Sequence, residues 1–325
     1  MNSSIKLEPR VAAILGALVG DAASLGLHWL YDPERIAQIE KNKGLVFLRP
    51  DASDYAGVSG YFAHGNKQAG DSSAYGELCL LMLRHIVRHG KFYRVDYQSE
   101  YRSYFGPGGG YQGYIDSPSR LTLQTLLPLK PEDFPLQSGA DDDQFAALAA
   151  LPAIVATHDE SQDALKAKIE QAVRLTNNND TAVAAAQYAG CVLLAVLNGE
   201  PIQQALASSL PHAGEKLRPL LEEALQVKTL DCVAVAKRFG NACHVPQGLP
   251  VIAHIVQHAP DYRTAIEENI RIGGDSCGRS IMLGAIMAAY TAQQNSQTAS
   301  IPLEWAARYR KLSIAADACV QLRHQ

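Results

Sequence analysis

The stretch IRIGGDSCGRSIMLGAIMAAY, residues 270–290, decides how this chain is read. Gly273 and Gly274 permit a tight turn, and Asp275 then stands at or near the start of a helix. Free N–H groups and the helix dipole favour a carboxylate at that position. Small residues fill the helix expected over 280–294, so neighbours can approach it closely and it is buried on most sides. Read alone, Asp275 is an N-cap, the commoner use of an aspartate at a helix start.

Residues 9–27 form a matching tract. Val11, Ile14, Leu15, Leu18, Ala22 and Leu25 recur at helical spacing, and Ala12, Ala13, Gly16, Ala17 and Gly20 fill the other faces. Asp21 lies inside this apolar run, where a carboxylate needs a partner. A structural hydrogen bond to a neighbouring loop would supply one. His28, Trp29 and Tyr31 follow, and core packing accounts for them as a lone cluster. Asp32-Pro33-Glu34 reads as a cap and first turn of the next helix.

Further helical tracts are expected over 77–87, 144–157, 162–175, 180–198, 201–209, 215–226, 230–239 and 262–270. Asn177 to Asp180 supplies an N-cap for one of them. Residues 42–73, 104–120 and 128–143 read as loops. Few segments alternate with period two, so no sheet is expected. The chain therefore reads as all-α, one helical domain over residues 1–325 with Gly-rich insertions.

Composition agrees. Hydrophobic residues make up 47% and aromatics 7%, rich in the strong helix formers Ala and Leu. Net charge is −4, with no basic stripe to follow a phosphate backbone, which argues against a nucleic-acid partner. The apolar stretches look too short for a membrane span, and the start lacks the apolar run of a signal peptide, so a soluble, cytoplasmic protein is expected. Six widely spaced cysteines without a CxxC point to buried, reduced thiols rather than disulfides or a zinc knuckle.

Two more segments place polar groups where chemistry is possible. Gly70-Asp71-Ser72-Ser73 leads into the helix that carries Tyr75 and Glu77. The loop from Gly106 to Gly113, with Gly108, Gly109, Gly110 and Tyr111, offers bare backbone to a phosphate, although a mobile loop explains it as well.

Taken in order, these segments resemble the ADP-ribosylglycohydrolase family across roughly residues 9–292. Gly16-Ala17-Leu18-Val19-Gly20-Asp21-Ala22 is similar to that family's opening helix, and Gly70 to Gly76 aligns with its Gly-Asp-x-Thr-Asp-Asp-Thr motif. The Gly106–Gly113 loop and the closing Gly-Gly-Asp-Thr-Asp-Thr motif, here Gly273 to Gly278, complete the match. The resemblance implies an orthogonally packed all-α fold. It also implies a cleft in which two magnesium ions hold an ADP-ribosyl group and position a water.

The carry-over is partial. The family's Asp-Asp pair falls on Ala74 and Tyr75, and its preceding Thr on Ser73. In the closing motif the second Asp falls on Cys277 and the following Thr on Gly278. The acidic residue that ends the opening motif aligns with His28, and a later Thr-His becomes Thr176-Asn177. Asp275 remains at a carboxylate position and Ser73 at a hydroxyl position, so Mg2+ is expected to be absent or reduced to one weak ion.

Chemically capable residues persist beside these losses. Asp21, Glu77 and Asp275 are candidate catalytic carboxylates and His28 a candidate acid or base. Arg279 offers a fixed positive charge for an anionic ligand. Cys277, near a helix start and Arg279, is expected to have a lowered pKa. Tyr75, Tyr111, Cys277, Arg279 and the loop glycines are the candidate ligand contacts, with Asp71 and Asp141 to Asp143 as neighbours. Hydrolysis of a glycosidic bond in an ADP-ribosyl or related ligand is the first expectation. A non-catalytic nucleotide binder and a structural protein like the J-type crystallins, which the resemblance also reaches, are the alternatives.

Overall fold

The computed structural model describes residues 7–228, 231–294 and 300–322. Among them lie sixteen α-helices and five short 3-10 turns, with isolated bridges but no strand. The first helices are α1 (Pro9–Ser24), α2 (Pro33–Lys43), α3 (Ala74–His89), α4 (Arg94–Phe105) and α5 (Ser117–Leu126). Then come α6 (Leu151–Ala156), α7 (Gln162–Val173), α8 (Asp180–Leu197), α9 (Ile202–Ser208), α10 (Gly214–Gln226) and α11 (Cys232–Phe239). The chain continues through α12 (Val245–His258), α13 (Tyr262–Ile272), α14 (Ser276–Gln293), α15 (Leu303–Ala306) and α16 (Leu312–Leu322). The all-α expectation holds.

The two small-residue helices, α1 and α14, make the most extensive pairing in the fold. A Cβ on Gly16 would fall 2.4 Å from Ala288 Cβ, and one on Gly284 would fall 2.4 Å from the Gly16 carbonyl oxygen. Their backbones therefore touch, which a larger residue at either position would prevent. The Tyr262 hydroxyl of α13 donates to the same Gly16 carbonyl (2.8 Å). Helices α3, α6 and α8 pack against this pair, inside one contiguous buried cluster. The pairing carries the end of α1 to the start of α14, beside the start of α3.

Several boundaries differ from expectation. The tract 9–27 ends as an α-helix at Ser24 and finishes in a 3-10 turn over Leu25–Leu27. The expected loop 104–120 gives up its ends to α4 and α5, the latter capped by Asp116 with Pro118 in its first turn. Helix α12 was not expected, because Pro246, Gly248 and Pro250 interrupt its pattern. The expected tract 230–239 opens on residue 230, outside the described residues. Its remainder is α11.

Two segments, Pro9–Leu27 and Asp180–Leu197, are long and apolar enough to cross a membrane by length and composition, contrary to the expectation above. Their most apolar windows are 89% and 67% buried, so other helices already cover most of this surface. No disulfide forms among the described residues, and all the cysteines except Cys243 are buried.

Candidate functional site

Asp275 ends the Gly-Gly turn and caps α14, its Oδ1 accepting the Gly278 amide (3.0 Å). Gly273 and Gly274 both adopt positive φ, and Gly274 exchanges hydrogen bonds with the segment that follows α1 and its 3-10 turn. The Gly274 amide donates to the Leu30 carbonyl (2.7 Å), and the Trp29 amide donates to the Gly274 carbonyl (2.8 Å). This exchange brings His28 to the carboxylate. His28 Nε2 lies 2.8 Å from Asp275 Oδ1. From α3, the Tyr75 hydroxyl donates to Oδ2 (3.2 Å). Asp275, His28 and Tyr75 are all buried. The aspartate is therefore an N-cap and also the centre of a side-chain cluster.

The cluster extends beyond His28. His28 Nδ1 lies 2.8 Å from His64 Nε2, and His64 Nδ1 has no hydrogen-bond partner among the described residues. Trp29 stacks on His28 with ring centroids 4.0 Å apart and on His64 at 5.8 Å. Its backbone is held in the left-handed region at φ 63°. A non-glycine residue there costs about 1–3 kcal/mol and persists where its surroundings over-determine it. Here the Gly274 bond, the Tyr61 amide donating to the Trp29 carbonyl (2.9 Å) and the stacked rings do so. Burial holds the His64 imidazole well below its ordinary pKa, with His28 and Lys67 adding to the effect.

Asp21, in the last turns of α1, forms a second centre. Ser73, which caps α3, binds it twice: its hydroxyl donates to Oδ1 and its amide to Oδ2 (2.9 Å). A Cβ on Gly76 would lie 2.2 Å from Asp21 Oδ2, so glycine is needed where α3 passes over this carboxylate. Burial pushes Asp21 up to about 7, against the lowering effect of the Ser73 bonds. Its proton equilibrium thus sits in the neutral range.

Other expected residues are placed differently. Glu77 is clamped by Lys311, whose Nζ lies 2.6 and 2.7 Å from its two oxygens, and by the Tyr104 hydroxyl (2.6 Å). That makes it an ion pair joining α3, α4 and the segment before α16. Arg279 is fully buried beneath the turn, where its guanidinium donates to Asn269 Oδ1 and to the carbonyls of Asn241, Asn269 and Gly273. Burial lowers it to about 10. Its donors are used on the fold rather than offered to a ligand.

Cys277 corrects an expectation. Its thiol is pushed well above its ordinary value, by burial first and then by the charges of Asp21 and Asp275. These effects outweigh the helix start. Its Sγ donates to the Asp21 carbonyl (3.6 Å). In the loop, Gly109 and Gly110 pack on Tyr104, and buried Tyr111 carries Lys67 Nζ over its ring at 4.6 Å. Asp71 pairs with Arg310 (2.9 Å), and Asp143 lies 2.5 Å from His244 Nδ1.

Three residues of this neighbourhood were missed in the sequence. His64 lies in a loop with no local pattern. Lys67, nearly buried, has its pKa lowered by burial. Asp116 had a readable signal, because Asp-Ser-Pro is a helix-start pattern. Its Oδ1 caps α5 through Ser119 (2.9 Å), its Oδ2 has no hydrogen-bond partner among the described residues, and burial pushes it up to about 6 with help from Asp275 and Asp142.

The group with metal-ligand spacing among the described residues is elsewhere: His85, His89 and Glu100, with ligand atoms within 4.8 Å of one another. His85 Nε2 accepts the Tyr93 amide (3.0 Å), so its Nδ1 bears the proton directed at Glu100 (3.2 Å). Arg88 and His89 complete the set around Glu100. Hydrogen bonds close this cluster, leaving His85 no lone pair for an ion.

Residues 3–325 match the family model described as ADP-ribosylglycohydrolase. Crystallin J1A of Tripedalia cystophora is 30% identical over 325 residues, covering 95% of this chain and 94% of the crystallin. Crystallin J1B of the same organism is 28% identical with the same shares covered. A solved structure titled ADP-ribosylglycohydrolase-related protein complex matches with a TM-score of 0.69 and 17% identity, over 97% of each chain. That likeness shows the fold.

Proposed function

This chain belongs to the ADP-ribosylglycohydrolase family, and we propose that it hydrolyses an N- or O-glycosidic bond of an ADP-ribosyl or related nucleotide-sugar ligand without a dinuclear magnesium centre. The observation that carries this reading is the buried Asp275 carboxylate, held between His28, Tyr75 and the Gly278 amide. A titratable ring and a carboxylate in contact are an acid–base pair. Asp21, with its proton equilibrium near neutrality, is a second group able to give or take a proton.

The same carboxylate argues against two magnesium ions. Mg2+ demands a near-octahedral set of oxygens, with carboxylates among them. Both Asp275 oxygens already accept protein donors, the Ser73 hydroxyl is directed at Asp21, and Tyr75 and Cys277 stand where further acidic ligands would be needed. This donor set does not fit the pair of ions. Glu77 and Arg279 have polar partners within the fold, which favours a structural role for both.

Two relatives named crystallins favour a second reading, in which the scaffold serves by packing and solubility. Turnover separates the two. In EDTA, the wild type is expected to cleave ADP-ribosyl-arginine or ADP-ribosyl-serine peptides, and Asp275→Ala to lose the activity. A wild type inactive on both, with or without magnesium, favours the structural reading.

A further inference from the structure

The chain Asp275–His28–His64 has a direction set by hydrogen-bond chemistry. A neutral imidazole has one donor and one acceptor nitrogen. His28 Nε2 faces a carboxylate at 2.8 Å, so it carries the proton and its Nδ1 is a lone pair. His64 Nε2, 2.8 Å from that lone pair, must then carry a proton of its own. His64 Nδ1 is left as a bare acceptor. It is buried and has no partner among the described residues.

An imidazolium at His28 would reverse this order. It would donate in both directions and leave His64 Nδ1 as a buried donor. The charge balance opposes that state. Arg279 is buried beneath the same turn with its charge favoured by Asp275, so one resting cation already lies near the aspartate. A second buried cation would be uncompensated.

We propose that Nδ1 of His64 is the proton-accepting atom of the site, holding and deprotonating the attacking water in the reaction proposed above. The inference rests on that reading. The water gives one proton to His64 Nδ1, and its oxygen pair forms the bond to the anomeric carbon. The glycosidic electron pair leaves with the departing nitrogen or oxygen, which takes a proton from solvent. The charge that grows on His64 is transient: its Nε2–H stays bonded to His28 Nδ1, and the accepted proton passes on to solvent as the product leaves.

Nitrogen NMR of histidine-labelled wild type tests the tautomers without any substrate. The expected spectrum shows pyrrole-type Nε2 and pyridine-type Nδ1 on both His28 and His64. A protonated Nδ1 on His64 overturns the proposal. The kinetic arm uses His64→Asn, whose amide can still donate to His28 but cannot act as a base. With an ADP-ribosyl-arginine peptide in EDTA, kcat is expected to fall about 100-fold with KM within about twofold. Unchanged kcat in His64→Asn, beside a dead Asp275→Ala, overturns this role and leaves the proposed function standing. An inactive wild type sinks the function and this role together, a pattern distinct from the previous one.

Discussion

Two buried carboxylates, Asp275 and Glu77, both look like candidate catalytic groups in the sequence, and the fold treats them in opposite ways. Glu77 meets a lysine ammonium at both oxygens and a tyrosine hydroxyl besides. Asp275 meets an imidazole, a hydroxyl and a helix amide. The first set fixes a charge and holds three segments together. The second leaves a titratable ring in contact with the carboxylate and a bare nitrogen beyond it. The kind of partner a buried acid has, more than its burial, separates a structural ion pair from a candidate reaction centre.

The largest expected effect breaks the Asp275 side. Asp275→Ala removes the cap and strands His28, the Tyr75 hydroxyl and the Gly278 amide. Urea unfolding is expected to show a loss of about 3 kcal/mol, with activity abolished. A variant as stable as the wild type would mean the cluster is not held as described.

Next is the Glu77 side. Lys311→Met leaves that carboxylate buried without its cation. A loss of about 2 kcal/mol is expected, smaller because Lys311 is 32% exposed and water can reach its end of the pair. The activity of the folded fraction is expected to stay within about threefold of wild type. Collapse of activity in a stable Lys311→Met protein would place Glu77 in the reaction after all.

How much of this was legible in the sequence follows from the range of each signal. Helices α1 and α14 declare themselves through small residues at helical spacing, which is local information. Helices α4 and α12 do not: the first is polar and Tyr-rich, and the second is broken by two prolines and a glycine. Asp275 and Asp21 were legible as carboxylates at odd places. Their partners were less so, because Tyr75 lies 200 residues from Asp275 and His64 lies 36 from His28. A hydrogen bond across a helix crossing leaves no periodicity. The direction of the Cys277 shift was misread because burial, its first cause, comes from packing by other helices, and Asp21, which adds to it, lies on α1.

A subtler effect lies at Asp21. Burial raises it from 3.8 to about 7, so the folded protein holds this proton more tightly than the unfolded chain. Its contribution to stability is fully present below about pH 4 and is lost as pH rises through about 7. Asp21→Asn imitates the protonated form and lacks that loss. Urea unfolding at about pH 5 and about pH 8 is expected to show the variant gaining on the wild type as pH rises. A constant difference would mean that Asp21 titrates normally.

The most direct test of the central claim, a ligand site that works without two magnesium ions, is thermal unfolding with ADP-ribose in EDTA and again in excess magnesium. A ligand that binds the native state alone raises the midpoint by mass action. The expected result is the same rise in both buffers, to within about 1 °C at saturating ligand. A rise that appears only with magnesium would contradict it, as would no rise in either buffer.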